Sequence, residues 1–397
     1  MTKISRLLSL FSGLLLSTAL GASADFSAPP INISNSGSGS FYPKIAHETG
    51  SSNVFVCWLE VDPIYDRLYF SKSTDEGASW SLPVDLTKWK KIRTGVTEQD
   101  CSALSICVNE PYVHIVTQWR MGAAQTFEIF YLRSDDLGET WDAWRQLTFN
   151  STPSRMPDIA GRGEYVHVVY VDDWAGNSDI IYKRIAGYGA GAVDQTRRLT
   201  YSAGESLFPR LAVTQSGSTV NIVYEDDFNG VRNLFYKHID DAGSGLLTTR
   251  QLTFGTTYNG LPDIVTSSGA DDSYVYIVYQ ALWPGNREIM YKRLSEYGHP
   301  SGATYTLRLT FSPGESRGGA IDFDGLNNTV HVAYHEAETD YCNVMYRKLT
   351  NFGGAGFSGE RVTWWNYLST QPTVAALGDW ALITWQNPDE IYVIKGF

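Results

Sequence analysis

One pattern recurs seven times along the chain, and few folds can accommodate it. A strand-like run with apolar residues at alternate positions begins at Val54 (VFVCW), Val113 (VHIVT), Val166 (VHVVY), Val220 (VNIVY), Val275 (VYIVY), Val330 (VHVAY) and Ala381 (ALITW), at intervals of 51 to 59 residues. A second strand follows each run after a polar loop, as in LYFSK at Leu68, IFYLR at Ile129 and LFYKH at Leu234. A third, short strand ending in threonine closes most units, at Thr87, Thr148, Thr200, Thr253, Thr310 and Thr363. Ahead of the first run sits a further strand, often opened by proline: YPKIA at Tyr42, MPDIA at Met156, FPRLA at Phe208, LPDIV at Leu261 and QPTVA at Gln371. Proline is tolerated at a strand start because no ladder hydrogen bond is yet asked of it. Four strands in a unit of this length are the repeat of a propeller blade.

The expected fold is therefore all-β, a seven-bladed β-propeller of four-stranded blades. The seventh unit runs out at Phe397 without its outer strand, and the missing strand lies at the other end of the chain, in Ile31-Asn32-Ile33-Ser34. Pairing it with the last blade closes the ring and removes an exposed edge. Residues 1–24 read as a cleaved secretory signal: Lys3 and Arg6, an apolar run from Leu7 to Leu20 too short to span a bilayer, then Ala22-Ser23-Ala24. Residues 25–397 then form one domain, exported to the periplasm or the medium.

Charge and cysteine content narrow the function. The formal charge of −12 becomes −14 once Lys3 and Arg6 leave, which argues against nucleic acid and against an anionic membrane surface as partners. The four cysteines are too scattered for a disulfide framework or a zinc site. Cys101 and Cys107 are too far apart along one strand to pair, and Cys57 reads as a core residue. His114, His167 and His331 share one register in three units and, lying on different blades, should take a packing or inter-blade role and not bind metal. The pairs Asp226-Asp227, Asp240-Asp241 and Asp271-Asp272 offer acidic ligands for calcium but no EF-hand ladder, so solvated turns and no cofactor are expected.

In six units a glycine falls seven residues after the aromatic of the third strand, for example Gly77 after Phe70, Gly189 after Tyr182 and Gly353 after Tyr346. The spacing marks one turn geometry with glycine at positive φ. The first two units extend it to S-x-D-x-G-x-x-W: Ser73, Asp75, Gly77 and Trp80, then Ser134, Asp136, Gly138 and Trp141. Here the chain resembles the sialidase superfamily of Asp-box (BNR) repeat proteins, and the resemblance covers all of 25–397. It implies a propeller whose Asp boxes staple turns on the face opposite the ligand site.

Propeller ligands gather at the channel mouth, on loops leading into the first strand and loops joining the second to the third. Arginines, carboxylates and aromatic residues on those loops suit a sugar, since rings stack on a pyranose and guanidinium grips a carboxylate in two bonds. A sialidase-like mechanism, as the resemblance implies, needs arginines on a substrate carboxylate, a tyrosine nucleophile helped by a glutamate, and a proton donor. The candidates are Arg155, Arg287 and Arg317, with Tyr258 or Tyr341 and Glu205 or Glu315. Trp119, Trp174, Trp283, Asp172, Asp226 and Glu336 are the further candidates for ligand binding, and the three acids equally suit turn capping. Two features depart from the resemblance: Tyr42-Pro43-Lys44-Ile45 stands where an Arg-Ile-Pro signature is expected, and seven blades replace six. The sequence thus points to a carbohydrate ligand, most naturally an acidic glycan, and leaves open glycosidase or lyase action, a lectin-like role or a protein-binding one. It sets no oligomeric state.

Overall fold

The computed structural model describes residues 26, 28–37, 39–61, 66–87, 92–93, 103–121, 126–173, 176–268, 273–283, 285–295, 302–337, 341–364 and 368–396. The segment read as a signal sequence lies outside them. Seven antiparallel four-stranded sheets follow one another around an axis, one of them carrying an additional two-residue strand, Ile92–Arg93. Blade 4 is representative, with Ser206–Val213 innermost, then Val220–Asp226, Asn233–Ile239 and Leu247–Gln251 outermost. In blade 7 the outermost strand is Ile31–Asn32, which pairs with Ile391–Gly396, so the N-terminus closes the ring. The seal is reinforced by Ile33 N donating to Ile391 O at 2.9 Å and Ile391 N donating to Ser34 Oγ at 2.9 Å.

The closing threonines have a specific task. The outer strands are short, and in blades 2 to 6 the threonine hydroxyl accepts a third-strand amide where the ladder ends. Ile129, Ile180, Leu234, Ile289 and Val344 donate to Thr148, Thr200, Thr253, Thr310 and Thr363 at 2.8 to 2.9 Å. A buried amide that would otherwise lack a partner is thereby satisfied.

The prolines do not open their strands, as the sequence suggested. Innermost strands begin earlier, at Gly39, Ser154, Ser206, Asn259 and Thr370, and each proline sits inside a bulge where the register shifts, as between Arg155 and Asp158 or Gly260 and Asp263. The preceding residue takes a left-handed conformation: Tyr42, Met156, Phe208, Leu261 and Gln371 all have φ between 46° and 58°. Large side chains rarely adopt such angles. The bulge frees proline from ladder duty, and it turns Tyr42 and Met156 into the clusters between blades.

Hydrophobic clusters sit between adjoining blades, one joining Phe55, Cys57 and Phe70 of blade 1 to Leu104, Val113 and Ile115 of blade 2. Cys57, Cys107 and Cys342 are free thiols, while Cys101 falls outside the described residues. The three registered histidines are fully buried and pair within their own blades, His114, His167 and His331 Nδ1 lying 2.8 Å from the hydroxyls of Tyr131, Tyr182 and Tyr346. Burial pulls all three down to about 3, so they are neutral packing groups.

Two of those tyrosines, and Tyr291 of blade 5, also explain the spaced glycine. An ideal Cβ on Gly189, Gly243 or Gly353 would lie 1.9, 1.8 or 1.9 Å from the hydroxyl of Tyr131, Tyr182 or Tyr291 on the preceding blade. The glycine is thus an inter-blade socket as well as a turn residue. In the two S-x-D-x-G-x-x-W turns, Ser73 and Ser134 Oγ accept from Gly77 and Gly138 N at 2.8 Å. Asp75 accepts the Ser79 amide at 2.8 Å and its hydroxyl at 2.6 Å, and Asp136 holds Thr140 in the same way. Hydrogen bonds from Ser79 lower Asp75 to about 2; at Asp136 partial burial opposes the same shift, and the bonds from Thr140 prevail, again giving about 2. Trp141 packs edge-on against Phe70 of the preceding blade at 5.0 Å, and Trp80 donates to Gly77 O at 3.2 Å. Strand alternation puts these turns at the end of each blade away from the loops between second and third strands.

Candidate functional site

Around the axis, the seven innermost strands enclose a cavity of about 290 Å³. Asp158, Asp263 and Asp322 line it, and each carboxylate accepts an amide of the following blade: Leu211 at 2.8 Å, Ile321 at 3.0 Å and Ala376 at 2.8 Å. These acids tie blade to blade. Burial raises both Asp263 and Asp322, the latter to about 7.

The chemistry converges at the channel mouth, on blades 4, 5 and 6. Glu225, the sixth residue of blade 4's second strand, is fully buried. Its Oε1 accepts the Leu261 amide at 2.8 Å and the Tyr258 hydroxyl at 3.4 Å, and its Oε2 lies 3.5 Å from Arg232 Nη1. Arg232 Nη2 reaches Glu205 at 3.0 Å and Asp227 at 3.7 Å, while Asp227 accepts the Glu205 amide at 2.7 Å. On the neighbouring blade, Arg287 Nη1 lies 3.3 Å from both oxygens of Glu315, and Arg317 pairs with that same carboxylate. Gly260 makes the central contact possible, because a Cβ there would stand 2.5 Å from Tyr258 Oη and 2.6 Å from Glu225 Oε1.

Burial is the dominant influence on Glu225 and outweighs the Leu261 amide and Arg232, raising it to about 7. A carboxyl there is half-charged near neutrality, the condition for giving and taking protons. Burial and then the Glu225 charge push the Tyr258 phenol up, against the pull of Arg232 and Arg287. Burial also works to raise Glu315, but Arg317 and Arg287 prevail and hold its carboxyl below the ordinary range. His335, which occupies blade 6's counterpart of the Glu225 position, is lowered to about 4 by burial, with Arg317 adding to the effect. It is a neutral imidazole whose Nδ1 has no hydrogen-bond partner among the described residues.

Of the sequence candidates, Tyr258, Arg287, Glu315, Arg317 and Glu205 fall in this constellation. Arg155 is engaged within blade 3, 2.5 Å from Asp173 and 3.0 Å from Ser178 Oγ. Tyr341 faces Arg361, whose guanidinium lies 5.9 Å from its ring. Asp172, Asp226 and Glu336 staple the loops that lead into the innermost strands: Asp172 accepts from Ser154 at 2.8 Å, Asp226 from Ser206 at 2.7 Å, and Glu336 from Ser312. Trp119 is fully buried between Phe130 and Trp144, with ring centres 4.1 and 4.6 Å away, and offers no ring face to a ligand. Trp283 is half exposed over Arg308; Trp174 lies outside the described residues. Among the described residues no group of three His, Cys, Asp or Glu side chains could hold a metal ion. Glu225 was missed, although it carried a signal: it is the one acid at a position that the other blades fill with Leu59, Gln118, Val171, Gln280, His335 and Gln386.

The fold is a seven-bladed propeller of four-stranded blades. No protein-family model and no curated protein sequence matches the chain. Solved structures share its fold at low identity. An α-L-arabinanase of Penicillium chrysogenum complexed with arabinobiose aligns with a TM-score of 0.52 at 11% identity, over 92% of this chain and 97% of that one. The NanB sialidase of Streptococcus pneumoniae (a K499G mutant) aligns at 0.52 and 9%, over 93% of this chain and 70% of its own. The polysaccharide lyase Uly1 aligns at 0.56 and 8%, over 92% and 90%.

Proposed function

We propose that the protein binds an acidic carbohydrate at the mouth of blades 4 to 6 and cleaves it with Tyr258 and Glu225 as the reacting pair. The observation that carries this reading is the Tyr258 hydroxyl held against a buried carboxyl that titrates near neutrality. Passing its proton to Glu225 turns the phenol oxygen into a nucleophile or a base, and Arg232 and Arg287 stabilise the charge that develops there. Arg287 and Arg317 share a single carboxylate, Glu315, so the pair retains one positive charge for a sugar carboxylate. The glycosidases and the lyase of similar fold accord with carbohydrate chemistry, and the residues themselves argue for an acidic substrate.

A second reading, a binding module without chemistry, draws on Glu315 already occupying both arginines. The two readings separate when sialylated, uronic-acid and neutral glycans are incubated with the protein and both retention and product mass are recorded. Cleavage should vanish in Tyr258→Phe while retention persists, and both should fall in Arg287→Gln. Retention by wild type with no change in mass would leave the binding module.

A further inference from the structure

Immediately after the closing threonine, five consecutive blades place an aromatic residue in the open: Phe149, Tyr201, Phe254, Phe311 and Trp364, exposed at 76, 73, 78, 66 and 72%. Each stands where the outermost strand leaves for the next blade, so all five lie on the mouth face, one blade apart. Blade 7 breaks the series with Asn35. The backbone beneath them is held identically. The residue three positions earlier donates to the threonine carbonyl in every case, Gln146 at 2.7 Å, Arg198 at 2.9 Å, Gln251 at 2.8 Å, and Arg308 and Arg361 at 2.7 Å. In blades 3, 5 and 6 that residue is arginine, and its guanidinium lies 4.5, 4.5 and 4.8 Å from the centre of Tyr201, Phe311 and Trp364. The cation fixes one ring face and leaves the other to solvent.

On blades 5 and 6 the arrangement continues inward. Arg308 also lies 5.5 Å from Trp283, and Arg361 lies 5.9 Å from Tyr341. Trp283 shares a hairpin with Arg287 of the mouth cluster, where Leu282 pairs with Arg287. Two rows, ring then arginine then ring, thus run from the mouth to the rim.

We infer that this arc of rim aromatics is an extended binding surface for a polymeric glycan whose reacting residue enters the mouth. The inference rests on the mouth reading and adds chain length to the substrate. A protein or membrane partner would call for a contiguous apolar patch. These rings are instead isolated, each on its own polar loop, and solitary platforms one blade apart match successive sugar rings of a chain. Arg198 and Arg308 are paired with Asp179 and Glu288 at 2.6 and 2.7 Å, so on those blades the arginine serves to hold the ring and the acidic preference comes from the mouth.

The test compares hyaluronan, polygalacturonate and polysialic acid, each as polymer and as its own disaccharide, on wild type, on a Phe254→Ala/Phe311→Ala/Trp364→Ala variant and on Arg287→Gln. All three substituted rings are exposed, and an unchanged melting temperature verifies the fold. The rim variant should lose about tenfold or more in polymer affinity while its disaccharide affinity stays level, whereas Arg287→Gln should lose both. Equal polymer affinity in wild type and rim variant overturns the rim surface and leaves the mouth reading standing. Failure of wild type to retain any glycan overturns both. Ring-dependent binding to phosphatidylcholine–phosphatidylglycerol vesicles in place of glycan would reassign the rim to a membrane.

Discussion

Gly189→Ala tests how blades are locked together. Gly189 has φ of +82°, and a methyl there would meet the Tyr131 hydroxyl at 1.9 Å and His114 Cε1 at 3.1 Å. Three costs combine. Left-handed backbone with a Cβ costs roughly 1–2 kcal/mol, overpacking a filled site about 1–3 kcal/mol, and displacing Tyr131 from His114 about 1 kcal/mol more. Gly230→Ala is the matched control, because Gly230 has φ of +78° with nothing within 4 Å of its would-be Cβ, so only the backbone cost applies.

The difference between the two variants should be about 3 kcal/mol. At roughly 2 cal/mol/K per residue over this chain, that separates their melting temperatures by about 4 °C. Calorimetry at one protein concentration reads it directly. Repeating Gly189→Ala in a Tyr131→Phe background removes the clashing oxygen and should recover most of the gap, a coupling that a purely local turn effect would not produce. Equal shifts for Gly189→Ala and Gly230→Ala, or no recovery with Tyr131→Phe, would refute the socket and reduce the glycine spacing to turn geometry alone.

Two further outcomes are expected. Asp322 has its folded pKa raised to about 7 by burial from an ordinary 3.8, so its contribution is fully present below about 3.8 and is lost as pH rises through 7. Wild type should gain stability from pH 8 to pH 5, by at most roughly 3 kcal/mol from this group, and Asp322→Asn should flatten the rise in melting temperature; an unchanged slope would mean that the carboxyl is ordinary. Removing residues 25–34 strips the outermost strand from blade 7 and bares the edge at Ile391–Gly396; a lower melting temperature and growing light scatter with concentration are expected, and an unaltered monomer would show the seal to be dispensable.

How much of this was legible depended on whether a feature repeats. Blade number, strand alternation and ring closure rest on side-chain period, which reads directly from runs such as VHVVY and VNIVY. The proline bulge did not read, because its cause is a left-handed residue, and Tyr42 or Met156 carries no local mark of one. The glycine spacing was visible, but its partner was not, since Tyr131 and Gly189 meet only once blades 2 and 3 pack. The site was half legible. Loop positions singled out Tyr258, Arg287, Glu315 and Arg317, whereas Glu225 lay within an apolar strand where a motif search expects packing. That is also where burial gives a carboxyl its raised pKa: the same position that hid Glu225 from a loop-based reading suits it for proton transfer. A buried acid at a register position where the other blades carry only neutral side chains, Leu59, Gln118, Val171, Gln280, His335 and Gln386, is therefore a better guide to chemistry in a repeat fold than a charge in a loop. It breaks the pattern at a cost that packing alone does not explain.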